Sequence, residues 1–176
     1  ARLVAQADHI PIHVGAMPFA VEAVVEAFGD SIAEGNVYLL NDPYHGGSHL
    51  PDFTVVVPIF AEGRVIFYSV VRAHQTDIGG GTHGAYNPAA TEIFHEGLRL
   101  PPILLGEGRL PRPDLVRMIV TNSRMPREVR GDLMAMIGAA HLGEKRLLAV
   151  LDKNGVAKTE AAVGHDPTPS EAHAGP

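Results

Sequence analysis

The chain has 176 residues, 45% of them hydrophobic and 19% charged, a composition that suits one ordinary globular domain and excludes disorder over most of the length. A formal net charge of -6, with no Lys/Arg run, offers no cationic field to a polyphosphate backbone and excludes nucleic acid as a partner. With no cysteine there is neither a disulfide framework nor a thiolate site, so any metal falls to Asp, Glu and the 10 histidines.

At the N-terminus Arg2 to Gln6 is half apolar like a strand, and it starts at the first residue as though cut into. After the polar, Pro-broken stretch 8–18, Phe19, Val21, Val24, Val25 and Phe28 recur at helical spacing up to the stop at Gly29. Asn36 to Leu40 is a β-rich strand ended by Asn41-Asp42-Pro43, because Asp before Pro favours an Asx-type turn. A loop with Tyr44, His45, Gly46, Gly47, Ser48 and His49 follows. The clearest element is a β-hairpin, 53–60 and 64–71, turning at Ala61-Glu62-Gly63. These longest apolar stretches are far short of a bilayer span, and the N-terminus lacks a basic-then-apolar leader, so no membrane contact and a cytoplasmic location are expected.

Beyond the hairpin a long Gly-rich loop (78–88) precedes a short helix at 89–94. Asp114 suits the N-cap of a helix over 115–120, and Pro126 the first turn of a longer one running to about Leu151, with a break near Gly143. In the long helix Val129, Leu133, Met136, Ile137, Ala140, Leu147, Leu148 and Leu151 keep a 3.6 period. After Gly155 the pattern fades, and 157–176 reads as a disordered tail. Strands followed by helices make the class α+β: a mixed sheet with a central β-hairpin and C-terminal helices.

Two polar clusters flank the hairpin, Asp42, His45, His49 and Asp52 before it and His74 and Asp77 after it. A turn centred on Glu62 sets Asp52 opposite Arg72 and His74 opposite Leu50. Asp52, Arg72 and His74 then share a face, with Asp52 and His74 separated diagonally by roughly 7 Å, a gap that one cation bridges. His49, separated from Asp52 by Pro51, lies in an irregular turn from which it can swing in as a third ligand. Two imidazoles and a carboxylate suit Zn²⁺, Mn²⁺ or Fe²⁺, and three protein ligands leave positions for water or substrate. The competing reading is that of ordinary polar loop residues in a His-rich chain.

Other candidates are weaker. His9 and His13 are four apart but split by Pro11, so they read as loop histidines. His83 and His95 fit solvent exposure along the Gly-rich loop. Gly79-Gly80-Gly81 lacks the P-loop Lys and the strand-helix context, and reads as a flexible loop. Arg130-Gly131-Asp132 falls inside an amphipathic helix and cannot present an exposed adhesion loop.

The stretches ARLVAQADHIPIHVGAMP, NVYLLNDPYHGGSHLPDFTVVVPIF, RAHQTDIGG, ATEIFHEGLRLPP and NSRMPREVRGDL resemble the hydantoinase B/oxoprolinase family in order from residue 1 to about 152. That family includes acetone and acetophenone carboxylase subunits. The resemblance implies an ATP-dependent cyclic-amide hydrolase for hydantoin or 5-oxoproline rings, or a carboxylase. ATP is consumed by a partner, a hydantoinase A-type subunit with an actin-like ATPase fold. It also implies divalent-metal ligands at His49, Asp52, His74 and Asp77, with the metal polarising a carbonyl or phosphoryl oxygen. Asp42, His45 and Asp77 are the catalytic candidates, Asp42 and His45 contacting substrate or orienting the ligand imidazoles. The chain is shorter than family members. Residues 1–156 are therefore expected to be part of a larger family domain, incomplete at both ends, either active in a complex or a non-catalytic fragment or binding subunit. The apolar stripe of the long helix should then lie uncovered and drive association into an oligomer.

Overall fold

β-branched and aromatic residues dominate Asp52–Ala61 and Arg64–His74, and these segments pair as strands β2 and β3 in the computed structural model, which describes residues 1–6 and 11–165. Glu62 and Gly63 close the hairpin with φ of 53° and 76°, a two-residue left-handed turn whose twist matches that of the strands. Beyond β2 lie β1 (Val37–Leu40), β4 (Ile103–Glu107) and β5 (Leu110–Pro111), in the order β3-β2-β1-β4-β5. Among the described residues every pairing is antiparallel. The class is α+β as expected, but the sheet is not mixed, and the hairpin forms one edge while β1 takes the centre.

The register differs from expectation by two positions: Asp52 stands directly opposite His74, and Thr54 opposite Arg72. One position comes from the turn, which is Glu62-Gly63 alone. The other comes from a bulge where Ile59↔Phe67 gives way to Phe60↔Val65 and Ile66 is the extra residue. From Ile59 to the open end the shift is even and leaves Asp52 and His74 on one face, whereas an odd one would have turned His74 away from Asp52.

Both faces of the sheet are covered. Val37, Leu39, Phe53, Val55, Val57 and Leu105 pack with Val116 and Ile119 of α2 (Pro113–Thr121) and with Val129, Leu133, Met136, Ile137 and Ala140 of α3 (Pro126–Asn154). Tyr38, Leu40 and Val56 face Ala20, Val21 and Val24 of α1 (Pro11–Phe28). The central stripe of α3 is thus buried on the sheet, contrary to the expectation of an uncovered face; Leu142 and Val150, on its other side, stay exposed.

Helix bounds shift for identifiable reasons. α1 continues through Pro18, so residues 11–18 of the stretch read as Pro-broken are helical, while 8–10 lie outside the described residues. With the turn Gly29–Ser31 it is long and apolar enough to cross a membrane by length and composition, against the expectation from the hairpin segments. Its Ala20, Val21 and Val24 nevertheless serve as core contacts with the sheet. Arg112 rather than Asp114 precedes α2, and Pro113 and Asp114 lie in its first turn. α3 runs unbroken through Gly143, where a Cβ would meet Ser69 Oγ of β3 at 2.4 Å. Beyond Gly155, α4 (Val156–His165) occupies positions expected to be disordered; 166–176 lie outside the described residues. Residues 1–6 form no strand, and a 3-10 turn at Ile93–Glu96 replaces the helix expected at 89–94.

Candidate metal centre

The pleat brings Asp52, the first residue of β2, and His74, the last of β3, to one side at the open end of the hairpin. His49 reaches the same point from the turn before β2. That turn is closed by Asp52 N–H donating to His49 O (3.0 Å) and by Gln75 N–H donating to Pro51 O (2.8 Å). Asp52 Oδ1 lies 2.8 Å from His49 Nε2 and 3.2 Å from His74 Nδ1, and the two ring nitrogens are 3.3 Å apart. Donors about 2.0–2.1 Å from a tetrahedral cation are separated by roughly 3.3 Å, so the triangle fits one small divalent ion. Both histidines are about half exposed and Asp52 is buried, a face closed below and open above.

The other oxygen of Asp52 is held from the protein side. Ser48 Oγ donates to Oδ2 at 2.5 Å, and His13 Nε2, in the first turn of α1, lies 2.8 Å from it. Burial works against ionisation of Asp52, but the Ser48 bond and the His49 and His13 rings outweigh it and hold the carboxyl below its ordinary range. His13 was expected in a loop and instead belongs to the site. His9 lies outside the described residues. Period-two alternation alone places Asp52 on the α1 side with Thr54 and Val56, so a polar residue on α1 was the signal to seek.

Asp42 and His45 form a second cluster. Asp42 caps its own turn, accepting from Tyr44 N–H at 3.0 Å, and its Oδ2 lies 2.9 Å from His45 Nδ1 and 2.7 Å from Arg99 Nε. These partners overcome the burial of the carboxyl and lower its pKa. The expected bonds from Asp42 or His45 to ligand imidazoles are replaced by this Asp42–His45–Arg99 group. An open cleft of about 480 Å³ is lined by Tyr44, Ser48, His49, Thr91, Glu92 and Glu96, among others, so it touches both the ligand turn and the opposite loop.

Asp77 does not join the ligand triangle, which comprises His49, Asp52 and His74. Its carboxylate accepts from Gly79 N–H (2.8 Å), Arg124 N–H (3.0 Å) and Arg124 Nη1 (3.1 Å). Arg124 Nη2 also donates to Gly80 O. The Gly-rich loop, expected to be flexible, is therefore pinned: a Cβ at Gly79 would meet Asn122 O at 2.6 Å and one at Gly80 would meet His95 O at 2.7 Å. His95 pairs with Glu92, while His83 sits in a 3-10 turn of that loop, and neither belongs to the ligand triangle.

Gly46 and Gly47 are required by close backbone approach. At Gly46 (φ 82°) a Cβ would fall 2.5 Å from Phe19 O of α1, and at Gly47 2.3 Å from Asn41 O. Gly47→Ala is expected to cost about 1–3 kcal/mol, as overpacking does, and to displace His49. Denaturant melts together with metal uptake measure both effects, and wild-type values in both would show that the turn relaxes freely.

The fold is thus an antiparallel sheet between helices with two imidazoles and a carboxylate at the mouth of its edge hairpin. Residues 1–173 match the Hydantoinase B/oxoprolinase family, and the chain belongs to it. It is 41% identical over 161 residues to caprolactamase subunit beta of Pseudomonas jessenii, covering 92% of this chain and 28% of that protein. The crystal structure of the ATP-dependent caprolactamase from that organism superposes with a TM-score of 0.86 at 41% identity, over 92% of this chain and 28% of that one. A 5-oxoprolinase of Dictyostelium discoideum is 37% identical over 163 residues, 93% of this chain and 13% of that protein. The chain thus spans less than a third of the length of these relatives.

Proposed function

We propose that the chain forms the metal-holding part of a B-type subunit in an ATP-dependent cyclic-amide hydrolase, opening hydantoin or 5-oxoproline-type rings. It would work beside a hydantoinase A-type ATPase subunit that consumes the ATP, and so in the cytoplasm within an oligomer. The observation that carries this reading is the convergence of His49 Nε2, Asp52 Oδ1 and His74 Nδ1 on one point, in a family whose named relatives include a caprolactamase and a 5-oxoprolinase.

When bound there, Zn²⁺, Mn²⁺ or Fe²⁺ would supply Lewis acidity toward a substrate oxygen. The protein's own groups do the rest. His49 Nε2, Asp52 Oδ1 and His74 Nδ1 would hold the ion, and the cleft beside Tyr44 and His49 would receive the ring. Asp42 orients His45 through Nδ1, and His45 Nε2, next to Tyr44 of that cleft, would be the atom that moves a proton. Asp77 serves by pinning the Gly-rich loop to Arg124 rather than as a ligand.

The full-length protein, reconstituted with an ATPase partner, is expected to couple ATP hydrolysis to ring opening of 5-oxoproline, N-methylhydantoin or caprolactam. Acetophenone is the test of a carboxylase instead. Metal analysis without a His-tag should find one divalent ion per chain in wild type, lost in His49→Ala and His74→Ala. Unchanged stoichiometry in both variants would sink the metal site. A rival reading is a non-catalytic fragment or binding subunit of a larger assembly. Metal binding without turnover of any of these substrates supports that rival.

A further inference from the structure

We propose that His13 is a positioning residue for the metal centre, tying α1 to the ligand carboxylate; this rests on the metal reading above. His13 Nε2 lies 2.8 Å from Asp52 Oδ2, on the opposite side of the carboxylate from His49 and His74. Asp52 is 1% exposed, so its Oδ2 depends on protein donors, and Ser48 Oγ and His13 are those at hand. A carboxylate with one oxygen unheld rotates about its Cβ–Cγ bond. Two donors on Oδ2 remove that freedom and leave Oδ1 aimed between the imidazoles.

The remaining contacts agree with this role. Arg72, opposite Thr54, spends Nε on Thr54 Oγ1 (2.7 Å) and Nη2 on Gly46 O (2.8 Å), so the neighbouring guanidinium braces the loop rather than Asp52 directly. Ser48 belongs to the same turn as His49 and moves with it. Of these two donors, His13 comes from another layer, carried by a helix whose Ala20, Val21 and Val24 are anchored in the core. A donor on a rigid element fixes the carboxylate against the sheet, and the loss of such an outer partner weakens metal affinity about 10–100-fold. The site therefore includes α1, on the far side of the carboxylate from the cation.

The test is a Co²⁺ titration of the full-length protein followed by its visible absorption. His13→Ala is expected to keep one-to-one stoichiometry, to bind about 10–100-fold more weakly and to alter the absorption of the bound ion. His13→Gln, which returns an N–H donor, should recover most of both. If His13→Ala fails to fold, His13→Leu, which preserves the helix and its volume, carries the same expectation. Wild-type affinity and spectrum in the alanine or leucine variant, or a glutamine variant as impaired as they are, would overturn the role of His13. Absence of Co²⁺ uptake by wild type, or undiminished uptake by His49→Ala and His74→Ala, overturns the metal centre itself and the positioning role with it.

Discussion

Asn41→Ala should lower the unfolding free energy by about 3 kcal/mol, because it strands two buried backbone groups and one part-buried one at about 1–3 kcal/mol each. Asn41 is fully buried at the end of β1. Its Nδ2 donates to Leu50 O (2.6 Å) and Leu98 O (2.8 Å), and its Oδ1 accepts from Leu100 N–H (2.7 Å). One amide thus ties the ligand-bearing loop to the segment that carries Arg99. Asn41→Asp should not rescue, since it keeps the Leu100 bond but turns a carboxylate oxygen toward two carbonyls. Urea melts of the three proteins measure this, and a loss below about 1 kcal/mol, the worth of a single net bond, would show that the knot is not needed.

Asp77→Asn should destabilise the protein by about 3 kcal/mol near neutral pH, at the lower end for breaking a buried ion pair because Arg124 stays partly exposed. The difference should shrink in acid. Burial of Asp77 opposes its ionisation, but Gly79 N–H and Arg124 outweigh that and depress its pKa. A carboxyl depressed in the folded state adds stability above its unfolded pKa of about 3.9, and that contribution vanishes as pH falls through the lower, folded value. Wild type and Asp77→Asn should therefore converge below about pH 4. Both proteins also lose the contributions of Asp42 and Asp52, whose pKa values are depressed too, so the variant keeps an acid slope of its own. A gap between the two proteins that holds constant down to pH 2 would sink the assignment of Asp77 as a charged anchor.

How far the candidate site was legible follows from the range of each interaction. Asp52, His74 and His49 were readable because strand alternation and a short turn constrain them within one hairpin, and a register error of two left the face intact. Asp42's turn was readable for the same reason, its bond to Tyr44 spanning two residues. Asp77, expected as a ligand or catalytic group beside His74, has its carboxylate engaged by Arg124, 47 residues later, a partner that no local pattern reveals.

The sequence by itself determined β1, the β2–β3 hairpin, α2 and α3, the face that the residues of the hairpin take, and a metal-type donor set at the hairpin mouth. These depend on local periodicity and on the few residues around a turn. Tertiary structure alone decided that α1 runs through Pro18, that His13 reaches Asp52, that Asn41 knots two distant loops and that the sheet is covered on both faces. Each of these depends on how separate elements dock. Docking energy, shared among many buried side chains, can outweigh the local cost of a proline inside a helix and can bring together groups that no short-range pattern connects.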